Sequence, residues 1–228
     1  MKISITVACS GCGNEFSAAG YGEEEFPVAE CPKCGSSIHI FDHLSISVLA
    51  DRLLYRSKAE MEGGDFTLSI ICSAIAVECA LTQVFLKWKA IGSGRIPIQS
   101  ATDAERDAWE KEYRKNNRFL DSADFVSNAL VGKKFDDFVE EFVAINKDHP
   151  GILIKAGFPR MASQSKLKYF QKEIFDRRNR IMHWGNVNYV QADAAPCLSA
   201  AIGIVNILKL MDRLRYEKME RDWRNSLP

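Results

Sequence analysis

The sequence carries no excess of charge of either sign: thirty Lys and Arg are matched by thirty Asp and Glu over 228 residues. A net charge of zero excludes a protein that holds nucleic acid by bulk electrostatics and leaves only local basic patches for that task. No internal repeat and no low-complexity tract is present, so neither a repeat array nor a biased linker organises the chain. Common catalytic signatures are missing as well. Gly92-Ser-Gly94 is not followed by Gly-Lys-Ser/Thr, and neither H-E-x-x-H nor G-x-S-x-G occurs, which leaves no phosphate loop and no support for a catalytic metal. The apolar start from Ile3 to Val7 is too short for a secretory signal and runs straight into cysteines, so the expected location is cytoplasmic.

What is present fits a soluble globular protein: 46% of residues are hydrophobic and 26% charged, enough to build a real core. Seven cysteines are distributed unevenly. Cys9, Cys12, Cys31 and Cys34 form two C-x-x-C pairs within the first 34 residues, while Cys72, Cys79 and Cys197 lie in apolar helical stretches. An odd total with this spacing argues against a disulfide framework, and the scattered three read as small buried hydrophobes.

The chain divides near residue 42. Residues 1–42 read as short strands and turns, with glycines at 11, 13, 20, 22 and 35 and prolines at 27 and 32. From 43 to 228 the period is helical, and it predicts helices near 43–61, 66–90, 102–116, 119–130, 133–146, 163–182 and 193–222. The fold class is therefore mainly α, an all-α domain preceded by a small β module. The run from Leu68 to Trp88 is apolar enough to raise a transmembrane question, but Glu78 stands at its centre and Lys87 and Lys89 close it. A central carboxylate costs about 3 kcal/mol in lipid, so a buried core helix is expected and no membrane partner.

Two C-x-x-C pairs separated by 18 residues suit a tetrahedral Zn(Cys)4 site, each pair on a tight turn that aims two thiolates at one metal. Gly13 and Gly35 follow the second cysteine of each pair, where glycine lets backbone N–H groups open toward the sulfurs. Over residues 5–41 the segment resembles the zinc ribbon family. Four thiolates close the coordination sphere, so Cys9, Cys12, Cys31 and Cys34 imply a structural zinc, one that stabilises such a module by about 10–16 kcal/mol. His39 and His43 are nearby spare donors, read as ordinary residues of a strand face and a helix start. Few basic residues (Lys2 and Lys33) accompany the ribbon, which favours protein contact or specificity over a tight grip on nucleic acid.

A second cluster lies at Glu173-Ile-Phe-Asp-Arg-Arg-Asn-Arg-Ile-Met-His-Trp-Gly185. Leu167, Phe170, Ile174 and Ile181 mark an apolar helical stripe with Arg178 in its middle. A guanidinium there must be paired or line a cleft. His183 falls at the helix end and Gly185 offers the stop, so helix-wheel reasoning does not place His183. Residues 166–180 hold six cations (Lys166, Lys168, Lys172, Arg177, Arg178, Arg180) against Glu173 and Asp176, a local charge of +4. Such a stripe either holds phosphates or is a solvated helix face. Trp184 and Tyr189 either stack on bases or fill a core edge or dimer seam.

Arg178-Asn179-Arg-Ile-Met-His183 resembles the R-x(4)-H motif of HEPN domains, including the polar residue that often follows the arginine, and Arg177 gives the R-x(5)-H variant. The helix Ala74–Leu81 is similar to the family's second helix, which often carries an acidic residue, here Glu78. The resemblance covers roughly residues 43–222, with an enlarged middle segment at about 92–160. It implies a metal-independent endoribonuclease whose motifs face each other across a homodimer. His183 would move the proton, Arg178 would stabilise the phosphorane, and Asn179 would orient the phosphate or the imidazole. Arg177, Arg180 and Lys172 would bind the RNA. The expected products carry a 2′,3′-cyclic phosphate and a 5′-hydroxyl. Glu78 either holds Arg178 for catalysis, forms a purely structural pair, or faces solvent. Two other readings stand beside the enzyme: a non-catalytic HEPN-like module that recognises a protein or a nucleotide, and a toxin or defence protein controlled by a separate antitoxin-like partner.

Overall fold

In the computed structural model the described residues are 4–8, 12, 14–19, 28–39, 47–93, 101–116, 118–146, 166–185 and 188–226. The chain separates into two compact units, Met1–Val48 and Leu49–Pro228, a division a few residues beyond the boundary expected at 42/43.

In the first unit β1 (Ser4–Ala8) pairs antiparallel with β2 (Glu15–Ala19), Ser4 opposite Ala19 and Ala8 opposite Glu15. Likewise β3 (Val28–Glu30) pairs antiparallel with β4 (Ser37–His39). An isolated two-stranded hairpin is marginal in water. Here Cys31 is buried, with Cys12 and Phe16 packed against it.

The second unit is helical: α1 Ser47–Glu62, α2 Phe66–Gly92, α3 Asp103–Arg114, α4 Phe119–Val131, α5 Phe135–Ile145, α6 Lys166–Phe170, a π-helical turn Gln171–Asp176, α7 Arg177–Trp184 and α8 Gln191–Ser226. Local chemistry sets the ends. Asp65 caps α2 by accepting from the Leu68 N–H at 2.9 Å, and Thr102 with Glu105 forms a reciprocal capping box on α3. Gly132 and Gly185 close α4 and α7 at φ of 71° and 62°, left-handed positions that favour glycine.

The centre is the packing of α2 against α8. From α2, Ile70, Ala74, Val77, Leu81 and Val84 are buried, and from α8 Ala194, Cys197, Ala201, Ile204, Leu208 and Met211. Alanines on both faces allow close approach of the backbones, while each large side chain contributes about 1.5–3 kcal/mol on burial. Both helices are long and apolar enough to cross a membrane, and each buries 61% of that apolar window inside the protein.

The stretch expected as one helix over 163–182 is an α–π–α succession within the described residues. The wide i→i+5 turn rotates everything after it by about 100° relative to an uninterrupted α-helix. Both Ile174 and Phe175 are buried in that turn, and Phe175 stacks on Phe119 of α4 with ring centroids 4.3 Å apart. Two adjacent side chains of the turn thus reach the core.

Candidate functional site

Three of the four amino-terminal cysteines converge. The sulfurs of Cys12, Cys31 and Cys34 all lie within 4.8 Å of one another. Backbone hydrogen bonds Gly35 N–H to Cys31 O at 2.9 Å and Cys31 N–H to Ser36 O at 3.0 Å wind residues 31–36 into a tight turn, and Gly35 takes φ of 69° to do so. The Cys12 and Cys31 sulfurs are 3.7 Å apart. That is far beyond a disulfide bond, about 2.05 Å, and it matches the roughly 3.8 Å between sulfurs sharing a tetrahedral metal at about 2.3 Å each. These three residues could hold a metal ion. Cys9, Gly13 and His43 lie outside the described residues, and His39 belongs to β4.

In the helical unit Arg178, Asn179 and Glu78 come together. Arg178 Nη2 is 3.3 Å from Glu78 Oε1 on α2, and its Nη1 donates to Asn179 Oδ1 at 3.1 Å. The pair is partly open, with side-chain exposures of 30% and 44%. Arg177 is held differently. It donates to Glu173 at 2.7 Å and to Asp193 at the start of α8 at 2.6 Å, with 19% of its side chain exposed. Burial works against its charge, but the hydrogen bonds to Glu173 and Asp193 outweigh that and push the guanidinium above its ordinary value. The Tyr189 hydroxyl donates to the Arg177 carbonyl at 3.3 Å, tying the 188–190 segment to the same knot.

His183 remains inside α7, one residue before its end, and is exposed. Five residues of helix separate it from Arg178, about 140° around the axis, whereas Asn179 at i−4 shares its face. Among the described residues no hydrogen bond joins His183 to Arg178 or Asn179. Trp184 is 85% exposed, and Met182 and Val190 are exposed as well, so Trp184 does not fill a core edge. Of the basic stripe, Lys166 pairs with Glu140 at 2.8 Å and Arg177 with its two carboxylates, while Lys172 and Arg180 are exposed.

One polar cluster has no counterpart in the sequence reading. Asp212 of α8 is buried and accepts from Lys87 Nζ at 2.8 and 2.9 Å and from Trp88 Nε1 at 2.7 Å. The available signal was a carboxylate at i+4 from Leu208 and i+8 from Ile204, on an apolar face. The chain matches no family model, no curated protein and no solved structure.

Proposed function

We propose that the helical unit is a HEPN-type, metal-independent endoribonuclease acting as a homodimer, and that the amino-terminal unit is a zinc ribbon. The observation that carries the enzymatic reading is the Glu78–Arg178–Asn179 chain, with Arg178 Nη2 3.3 Å from Glu78 Oε1 and Nη1 3.1 Å from Asn179 Oδ1. A guanidinium oriented on both sides yet 30% exposed is a fixed cation that a phosphate can reach. His183, on the face of Asn179, supplies proton transfer. In the reaction the ribose 2′-oxygen bonds to the adjacent phosphorus as its proton passes to imidazole. The P–O5′ bond breaks and the leaving oxygen takes a proton, giving a 2′,3′-cyclic phosphate and a 5′-hydroxyl with no water consumed. Because His183 and Arg178 diverge on one helix, a second copy brings the complementary motif across the cleft. Lys172 and Arg180 hold flanking phosphates, and Arg177 anchors the helix through Glu173 and Asp193.

In the ribbon Cys9 joins Cys12, Cys31 and Cys34 as the fourth thiolate on a structural zinc. The 3.7 Å sulfur separation and the all-thiolate donor set support that metal. Four thiolates leave no place for a reacting water, so the zinc supplies folding energy alone.

Incubating labelled total RNA and tRNA with wild-type protein and His183→Ala in excess EDTA tests the enzyme. Cleavage by wild type alone, with cyclic-phosphate ends, is expected; equal results from both proteins would overturn it. A non-catalytic binding module is the second reading. It is favoured by the missing hydrogen bond between His183 and the Arg178–Asn179 pair among the described residues.

A further inference from the structure

A cleft of about 450 Å³ opens where the carboxy-terminal half of α2 meets α4 and the far end of α8. Its volume falls within the roughly 300–1,000 Å³ of small-molecule sites. The base is apolar, built from Phe85, Ile91, Val126, Leu130 and Met219, and Trp88 forms a wall. Its charged lining residues, among the described residues, are Lys89, Arg215 and Lys218 against the carboxylate of Asp222.

The state of each rim cation decides what the cleft attracts. Lys89 is already paired with Glu112 at 2.7 Å. Arg215 lies over the Trp88 ring, 5.6 Å from its centroid, and makes no ion pair with a carboxylate among the described residues. The indole N–H of Trp88 is spent on Asp212 at 2.7 Å, which locks the ring in place, and Lys87 also lies over the ring, 5.4 Å from its centroid. A cation resting on a π face is stabilised modestly, by about 0.5–1 kcal/mol at an exposed site. It keeps its hydrogen-bond donors for an incoming oxygen anion. Lys218 is exposed on the same rim.

We infer that this cleft binds an amphipathic organic anion, its hydrocarbon body over Phe85, Val126 and Leu130 and its head group on Arg215 and Lys218. Trp88 stands ten residues beyond Glu78 on α2, about 15 Å along the helix, so this site is distinct from the arginine–histidine motif and does not depend on its activity. A carboxylate and a phosphate monoester share the chemistry the rim recognises, and the body must be apolar because the base offers no polar partner.

Isothermal titration of the full-length protein with dodecanoate, dodecyl phosphate and neutral dodecanol tests the assignment. Saturable binding of at least one anion, one per chain, is expected, and the tighter of the two identifies the head group. Arg215→Gln should weaken it roughly tenfold, the value of one charge-assisted hydrogen bond. Ala129→Trp, at an exposed lining position, should abolish binding by filling the cleft, with the melting temperature checking that the variant is folded. No saturable binding of either anion would overturn the proposal, as would dodecanol binding as tightly as the anions. Anion affinity unchanged in both variants would overturn it equally.

Discussion

Arg178 of α7 and Glu78 of α2 meet at 3.3 Å, a contact between helices far apart in sequence that fixes one guanidinium while leaving it partly open. Both partners are too open for the pair to matter much to stability, since exposed ion pairs contribute about 0–1 kcal/mol. Its value is orientation. Glu78→Gln is therefore expected to change the unfolding free energy by less than about 1 kcal/mol while lowering RNA cleavage at least tenfold. Urea unfolding and a cleavage time course, run on the same preparation, separate the two effects; a large stability loss with intact cleavage would reverse the assignment.

The three convergent cysteines predict metal. Reduced, untagged protein should contain one zinc per chain by elemental analysis, and Cys31→Ser, which removes a buried thiolate, should lose it and unfold the amino-terminal unit. Metal-free wild-type protein would refute the site.

At the α2–α8 seam, removal of the Asp212 carboxylate strands Lys87, whose side chain is only 12% exposed. Breaking a buried pair by deleting one partner costs about 3–5 kcal/mol. Asp212→Ala should show that loss in urea unfolding, and the double variant Asp212→Ala, Lys87→Met should recover part of it.

Cys197 gives a pH dependence with a definite sign. Burial pushes its thiol from the ordinary 9.0 up to about 12, a rise only partly offset by the hydrogen bond with Ser73. The folded value lies above the unfolded one, so the stabilisation is complete below pH 9 and is lost as pH rises toward 12. Burial raises Cys72 and Cys79 in the same direction. For Cys197, stability should fall across that window by up to about 1.4 kcal/mol per pH unit, and Cys197→Ala should flatten the slope. Unfolding free energies at pH 8 and 10.5 provide the check.

A solution mass measured by light scattering tests the composite site. The enzyme reading expects a dimer at micromolar concentration, and exposed Met182 and Trp184, which flank His183 in sequence, offer apolar surface for it. Trp184→Ser should shift the equilibrium toward monomer and lower cleavage together.

The helices were legible because their apolar positions repeat with the helical period over long stretches: the run 66–90 became Phe66–Gly92, and 193–222 lies within Gln191–Ser226. The partner of Arg178 was legible only as one of several alternatives for Glu78, since a sequence names a buried-face arginine and a central carboxylate but not whether the two meet, as they do at 3.3 Å. The sequence favours Arg178 over Arg177 because Asn179 follows it, but only the fold gives Arg177 two carboxylates and leaves Arg178 partly open. Lys87 read as the polar end of an apolar run, because its partner Asp212 comes from the other end of the chain.

The π-helical turn at Gln171–Asp176 has a consequence for comparing this chain with any relative. It amounts to one extra residue accommodated between Phe170 and Arg177 without breaking the helix. A relative whose helix is regular there carries its arginine and histidine one position nearer to the aromatic that corresponds to Phe170. Aligning the two without a gap would match Arg177 to that relative's counterpart of Arg178, exchanging the arginine held by Glu173 and Asp193 for the one that meets Glu78. Which residues correspond turns on a single residue of register.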